Sequence, residues 1–376
     1  MADHSSPHLS NDSRPVEEQL ADLRQRIDGV DEQLLKLLNQ RATLAQAVGE
    51  VKKIDHSPVF RPDREAQVID TLKSLNTGPV QSDSIAPIWR EIMSACRSLE
   101  ARLRVAFLGP VGTFSEQAAL DYFGSSIEAL PCPSIDEVFR ATVAQSSNFG
   151  VVPVENSTEG VVARSLDLLL QSPLTIVGET SLLVKHNLLR KSPSREGISV
   201  VCAHPQALAQ CQGWLSQNLP DAERRPVSSN AEGARLASQD ASIAALASTR
   251  AATQYGLHVV QSCVQDEAHN RTRFVIVTRP EHHTPAAPTG HDCTSLIVSV
   301  DNRPGAVHDM LVPLKRHGVS MTRFESRPAR SGQWEYVFYM DLAGHPAQDN
   351  VSAAMDELRA QCSFFKVLGT YPLDVH

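Results

Sequence analysis

Arg41 stands where an apolar residue belongs. Leu20, Leu23, Ile27, Val30, Leu34, Leu37, Leu44, Val48 and Val51 recur at spacings of three and four, the seam of a coiled-coil-type helix, and four residues past Leu37 that seam runs through a guanidinium. A cation facing a core must be neutralised, either by an internal carboxylate such as Glu65 or Glu100 or by an anionic ligand. Lys52 lies eleven residues further on. At about 100° per residue it returns to within about 20° of the same face, roughly 16 Å along the axis. It either joins Arg41 around one small anion or carries its amine out to water.

A second set of chemistry-bearing residues follows. Gly109-Pro110-Val111-Gly112-Thr113-Phe114-Ser115 comes after an apolar run and opens an amphipathic stretch, so it is either a plain turn or a helix N-terminus whose backbone N–H groups hold an anion. Its glycine spacing is not the dinucleotide fingerprint, and it has no Walker lysine. The segment 152–160, with Glu155, Asn156 and Ser157, and His204-Pro205-Gln206 place polar residues just past the apolar runs 151–154 and 200–202. Such strand ends line the ligand crevice of open α/β folds. Asn270-x-Thr272-Arg273-Phe274 opens a further strand, and alternation puts Thr272 and Phe274 on one face and Arg273 on the other. Thr272 is then a cleft hydroxyl or a residue chosen for β propensity, and Arg273 is a ligand cation or the partner of Glu155 or Asp266. Near the C-terminus, Asn302-Arg303-Pro304-Gly305-Ala306-Val307 precedes a helix and Glu325-Ser326-Arg327-Pro328 closes a strand. They read as a tight turn with a surface ion pair, or as a binding loop.

Three elements of organisation must position these groups. Residues 15–53 have no breaker except Gly29 and Gly49 and predict one helix of about 60 Å, longer than a small domain is wide. With two shorter helical patterns, 63–75 and 84–103, it predicts a dimer in which the long helices pair. From 104 to 280 short apolar runs alternate with amphipathic stretches, the α/β signature. Residues 281–292 read as a linker. The last region predicts strands 295–300, 320–326, 335–341 and 365–371 and helices 306–317 and 351–361, the βαββαβ order of ferredoxin-like folds. The expected organisation is a disordered tail 1–14, an all-α domain 15–103, an α/β domain 104–280, the linker, and an α+β domain 293–376.

Composition narrows the functional classes. Hydrophobic residues make up 41% and charged residues 21%, as in folded globular domains. A net charge of −8 argues against nucleic acid as the main partner. The seven cysteines include no Cys-x-x-Cys pair, so neither a disulfide framework nor a zinc site is expected, and a reducing compartment fits. The polar N-terminus has no signal-peptide core and no 18-residue apolar run occurs, which predicts a cytoplasmic protein with no membrane contact.

Several of these motifs also resemble known families. Leu23-Arg24-Gln25-Arg26-Ile27-Asp28, Gln40-Arg41, Val48-Gly49 with Lys52, and Asp63-Arg64-Glu65 resemble the all-helical chorismate mutases over about 15–103. The resemblance implies that Arg41, with Arg24 of the other subunit, binds the two carboxylates of chorismate, while Lys52 hydrogen-bonds the ether oxygen. Seventeen residues put Arg24 and Arg41 about 100° out of phase, so one helix cannot aim both inward. The reaction is a unimolecular [3,3] rearrangement. It asks for a held conformer and for stabilisation of charge on the ether oxygen. Arg61 occupies a substrate-binding position where the family often has Asp, leaving Glu65 as the candidate for the substrate hydroxyl. Cys96 replaces a Ser, and Glu100 stands where many relatives have Gln. A Glu donates to the ether oxygen only when protonated, so mutase activity is expected to fall as Glu100 ionises.

The region 104–280 is similar to prephenate dehydratase, a two-lobed fold like that of periplasmic binding proteins with its site between the lobes. The likeness implies that Thr272 helps the C4 hydroxyl depart and that Asn156, Ser157 and Gln206 position substrate. Arg273, or the helix N-terminus at Thr113 and Ser115, would hold carboxylates, with Phe274 completing the motif. No metal or organic cofactor is implied. The C-terminal region resembles an ACT domain of the phenylalanine-binding kind, in which Gly305, Ala306 and Val307 with Glu325, Ser326 and Arg327 would bind the amino acid at a subunit interface; Val307 departs from the usual Leu. Together these imply a bifunctional enzyme of phenylalanine biosynthesis, inhibited by phenylalanine, as a homodimer or dimer of dimers. The competing readings are a monofunctional dehydratase with a degenerate helical arm, and a non-catalytic amino-acid-sensing regulator.

Overall fold

The computed structural model describes residues 14–55, 58–283, 287–328 and 336–373. The predicted tail up to residue 13, the middle of the predicted linker and the start of the strand predicted from 335 lie outside the described residues. The chain forms two compact units, Met1–His56 and Ser57–His376. Among the described residues the first is a single helix, α1 (Val16–Asp55), 40 residues long. Its first turn carries Glu17 and Glu18 and its last turn Lys52 and Lys53, each complementing the helix dipole. Along the apolar seam Leu20, Ile27, Val30, Leu34, Leu37, Leu44, Val48 and Val51 are all exposed. Burying one such side chain is worth about 1.5–3 kcal/mol, so the exposed seam leaves unused a substantial source of stability.

The second unit begins with α2 (Pro62–Leu75) and α3 (Ser82–Ser98). These two pack on the α/β region that follows. Arg97 of α3 is buried, donates to Glu65 of α2 and to the Phe123 carbonyl at 2.5 Å, and lies 4.8 Å over the Phe60 ring. Phe60 in turn contacts the rings of Tyr122, Phe123 and Phe149. Gly124 makes this close approach possible: it has φ +77°, and a Cβ there would sit 2.4 Å from the Ser94 side chain.

The first α/β lobe holds β1 (Arg104–Leu108), α4 (Phe114–Phe123), β2 (Glu128–Cys132), α5 (Ile135–Val143), β3 (Phe149–Asn156), β4 (Gly160–Val161), α6 (Ala163–Gln171) and β5 (Thr175–Leu183). The second holds β6 (Asn187–Arg190), β7 (Val200–Ala203), α7 (Pro205–Gln210), α8 (Gln212–Asn218), β8 (Glu223–Pro226), α9 (Asn230–Gln239), β9 (Ile243–Ala247), α10 (Thr249–Tyr255) and β10 (His258–Gln261). The chain then returns to the first lobe as β11 (Arg271–Thr278), so the sheets run β2-β1-β3-β11-β5, with β4 beside β3, and β10-β6-β9-β7-β8. The two crossings between lobes lie side by side, joined by bonds from Val184 N to Asn270 O and from Val264 N to His186 O, each 2.8 Å. Three helices start from a Thr/Ser-x-x-Glu signature: Thr113, Ser134 and Ser229 accept from the N–H groups of Glu116, Glu137 and Glu232. Edge strand β8 (Glu-Arg-Arg-Pro) carries no apolar run and β2 is short, mostly exposed and interrupted by Pro131, which is why sequence pattern passes over them.

The C-terminal sheet comprises β12 (Asp292–Ser299), β13 (Met321–Pro328), β14 (Tyr336–Ala343) and β15 (Phe364–Pro372), ordered β13-β14-β12-β15, with α11 (Ala306–Arg316) and α12 (Asp349–Gln361). One face, with Leu296, Val298 and Met340, packs on the two helices. The other, with Ile297, Tyr339 and Tyr371, shares a core with Val154, Leu166 and Ile176 of the first lobe. At Gly369 the contact is backbone on backbone, and a Cβ there would fall 1.9 Å from the Ile176 carbonyl oxygen.

Candidate active site

A cleft of about 340 Å³ opens between the two lobes. The first lobe contributes Thr113, Phe114, Ser115, Pro153, Asn156, Thr272 and Phe274, and the second His204, Gln206, Gln210, Ser229 and Asn230, with His186 and Asn270 from the crossings. Among the described residues its lining includes no lysine, arginine or carboxylate. An anion held there meets amides, hydroxyls, backbone N–H groups and imidazoles, rather than formal cations.

Asn156 is the fixed point of this cleft. Its Oδ1 accepts from Thr158 N at 3.1 Å, Thr158 Oγ1 at 2.9 Å and Glu159 N at 3.1 Å. That assigns the amide orientation, and Nδ2 donates to Asn270 Oδ1 and Thr272 Oγ1, both at 2.8 Å. With a lone pair of Thr272 engaged, its O–H is directed away from Asn156 and is free to donate to a ligand oxygen. The local fold explains the aim. β11 runs antiparallel to β3 with Thr272 opposite Asn156, but the register slips between Arg273 opposite Glu155 and Phe274 opposite Pro153. Pro153 has no N–H for the ladder, and the bulge lets residues 153 and 156 both face the cleft while Val154 enters the shared core. Simple alternation along the strand does not give that pairing.

Other predicted groups have different surroundings. Arg273 lies on the opposite face from Thr272, where Nε donates to Glu179 at 2.9 Å and Nη1 pairs with Asp341 at 2.7 Å, so it does not line the cleft. Neither acid considered from sequence is its partner: Glu155 pairs with Arg323, and Asp266 accepts from Gly213 N and Trp214 N. Ser157 ties the loop after β3 to the start of β11, accepting from Arg271 N at 2.9 Å. Thr113 donates to Leu108 O and caps α4, so its hydroxyl serves the helix rather than a ligand. Gln206 lines the cleft beside His204, whose Nδ1 accepts from Gln206 N at 3.3 Å. Sequence reading missed His186. It is 2% exposed, bonded to Gln210 at 2.9 Å and set edge-on to Phe114; burial lowers its pKa, with partial opposition from the Gln210 bond, so it is neutral at pH 7. Its one sequence cue is its place between two apolar runs where the chain changes lobe.

Outside the cleft, Arg24 and Arg41 on α1 have no ion-pair partner among the described residues. Glu65 is engaged by Arg97, and Arg61 makes two bonds to Asp63 at 3.0 and 2.6 Å. Burial pushes the Asp63 carboxyl up, but the Arg61 bonds and charge prevail and hold it below the ordinary range. Arg61 is thus committed to a neighbour rather than to a ligand. Glu100 lies just past α3, with its N–H on the Arg97 carbonyl. In the C-terminal sheet Gly305 adopts φ +81° at the start of α11, Ala306 is buried, and Val307 and Ser326 are exposed. Arg327 pairs with Asp167 of α6 at 3.3 Å. The β12-α11 turn and the end of β13 lie at the same end of the sheet, two strands apart, or about 10 Å.

Three family models match in chain order: chorismate mutase type II over 23–101, prephenate dehydratase over 105–282 and the ACT domain over 294–360. A bifunctional chorismate mutase/prephenate dehydratase of Neisseria gonorrhoeae is 46% identical over 96% of this chain and 99% of its own length. The chain belongs to the bifunctional chorismate mutase/prephenate dehydratases. Two solved structures share its fold at TM-score 0.66 over 72% of the chain. One is prephenate dehydratase of Arthrobacter aurescens in complex with L-Phe, 31% identical and covered over 90% of its length. The other is GqqA, described as a novel type of quorum quenching acylase, 30% identical and covered over 98%. In family terms the cleft lies within the dehydratase match and Arg24, Arg41 and Lys52 within the mutase match. The mutase match spans both compact units, joining α1 to α2 and α3. No helix among the described residues is long and apolar enough to cross a membrane.

Proposed function

We infer that the chain catalyses two consecutive steps, rearrangement of chorismate to prephenate and conversion of prephenate to phenylpyruvate, and that phenylalanine inhibits the second. In the cleft, prephenate loses its ring carboxylate as carbon dioxide; the electron pair of that C–C bond enters the ring while the C4–O bond breaks. The departing hydroxide takes a proton and leaves as water. Thr272 donates the hydrogen bond to that oxygen and relays the proton, recovering its own from solvent water, and Asn156 holds the Thr272 oxygen in place. The carrying observation is the 2.8 Å bond that orients the Thr272 hydroxyl inside a cleft whose described lining has no lysine, arginine or carboxylate. Carboxylates are held by the N-terminus of α4 near Ser115 and by Gln206 from the opposite lobe. The acylase likeness has less support, because two of the cleft serines have other duties: Ser248 donates to Gly112 O and Ser229 caps α9.

For the first step, Arg41 and Lys52 on α1 and Arg24 of a second copy enclose chorismate. The exposed seam of α1 supports this reading, since it gives the helix a reason to pair. Phenylalanine sits against the Gly305–Val307 turn and β13 with a second copy completing the pocket. Incubating the purified chain with chorismate tests the whole reading: prephenate and then phenylpyruvate should accumulate, the second step slowing when phenylalanine is added. Prephenate without phenylpyruvate would sink the dehydratase assignment.

A further inference from the structure

Behind the Asn156–Thr272 pair the next residues of the same two strands form a square of alternating charge with the C-terminal sheet. Arg273 stands opposite Glu155 across β11 and β3. Arg323 stands opposite Asp341 across β13 and β14. The two strand pairs face one another, with Arg273 Nη1 2.7 Å from Asp341 Oδ2 and Arg323 Nε 3.2 Å from Glu155 Oε2. Each corner therefore has an opposite charge across its own ladder, where facing side chains stand about 5 Å apart, and another across the gap between sheets. Further bonds steady the buried half. Ser295 donates to Asp341 Oδ1 at 2.6 Å, and the Tyr371 hydroxyl contacts Ser295 at 2.8 Å and Glu179 at 3.2 Å. Three corners are well covered, with side-chain exposures of 20% (Arg273), 8% (Asp341) and 14% (Arg323), while Glu155 is 41% exposed. Charges that deep tolerate few geometries, so the square favours one placement of the strands that carry it.

We propose that Asp341 and Arg323 of the C-terminal sheet are positioning residues for the dehydratase reaction, acting through Arg273 and Glu155 to set the Thr272–Asn156 geometry on the other face of the strands. Residues adjacent on a strand share a backbone, so a shift of Arg273 or Glu155 moves the neighbouring cleft residue with it. The square lies beside the bulge between Arg273 and Phe274, where the β3–β11 ladder has a break in register and the least backbone restraint of its own. The C-terminal sheet is then the outer wall of the catalytic strand pair as well as a regulatory element.

The proposal rests on Thr272 being the reacting hydroxyl, and the two readings fail separately. An active Thr272→Ala variant overturns that role; an inactive one leaves the square to be judged by its own variants. Asp341→Asn and Arg323→Gln, made singly and together in the full chain, are assayed with prephenate for kcat and KM and with chorismate for mutase turnover. Each single change should lower dehydratase kcat about tenfold by removing one side of an ion pair between the sheets. KM should stay within about twofold and mutase turnover should be unchanged. The double variant should lose less than the product of the single losses, and Asp341→Glu and Arg323→Lys should recover most of the rate. Arg323→Gln lies on an edge strand and removes no buried apolar atom, so it serves if Asp341→Asn folds poorly. Wild-type kcat in Arg323→Gln, or single losses that multiply in the double variant, would overturn the proposal.

Discussion

The two catalytic regions solve the problem of a dianionic substrate in opposite ways. The inter-lobe cleft draws its lining from both lobes of one chain and presents amides, hydroxyls and imidazoles. The long helix carries Arg41 and Lys52 near its exposed apolar seam and Arg24 about 100° away from it. A site closed inside one unit can rely on aligned backbone and amide dipoles, because little has to move to form it. The proposed mutase site, assembled between chains, would gain from long, strongly charged side chains that reach across the gap.

The sharpest test of the contrast is Thr272→Ala. Removing the oriented hydroxyl should lower dehydratase turnover by roughly 10³-fold and leave mutase turnover untouched, measured on the same preparation with each substrate. Near wild-type dehydratase turnover would dissolve the idea of a self-contained neutral site. The converse change, Arg41→Ala, should cut mutase kcat/KM by about 10²-fold, the cost of one or two charge-assisted bonds, with dehydratase kinetics unaltered. Leu34→Glu separates the regions by concentration. It should raise about tenfold the chain concentration needed for half-maximal mutase activity, while dehydratase activity per chain stays constant on dilution.

The smallest expected effect belongs to His186. Its folded-state pKa is lowered chiefly by burial, so on acidification the unfolded chain takes up this proton before the folded one. Stability from this site is present above the unfolded value of about 6.5 and is lost as pH falls below it toward the depressed folded value. Wild type should therefore lose more stability than His186→Gln between pH 7 and 5, read as the difference in urea midpoints. Equal pH slopes would show that the imidazole is not held neutral.

The same contrast separates what was readable in the residues from what was not. The seam of α1, the βαββαβ order and the Thr/Ser-x-x-Glu helix starts depend on neighbours within a few positions, so periodicity exposes them. Thr272 and Arg273 were assigned opposite faces from alternation alone, and they occupy opposite faces in the sheet. The bulge opposite Pro153 was not legible, because it depends on pairing between residues more than a hundred positions apart. For the same reason the partners of Arg273 escaped: Glu179 is close only through β5, and Asp341 only through the packing of a sheet that begins after residue 291. His186 escaped because its role comes from burial, and one histidine between apolar runs carries no pattern.

The contact at Gly369 bears on how such a chain can be cut or recombined. With no room for even one carbon between β15 and the Ile176 carbonyl, the last strand is fitted to the first lobe as a lid is ground to its jar. A truncated version made to escape feedback would bare the Val154, Leu166 and Ile176 patch to water and leave Arg273 without Asp341. Desensitised variants should therefore come from point changes around the effector pocket, because this regulatory segment is not a detachable cassette.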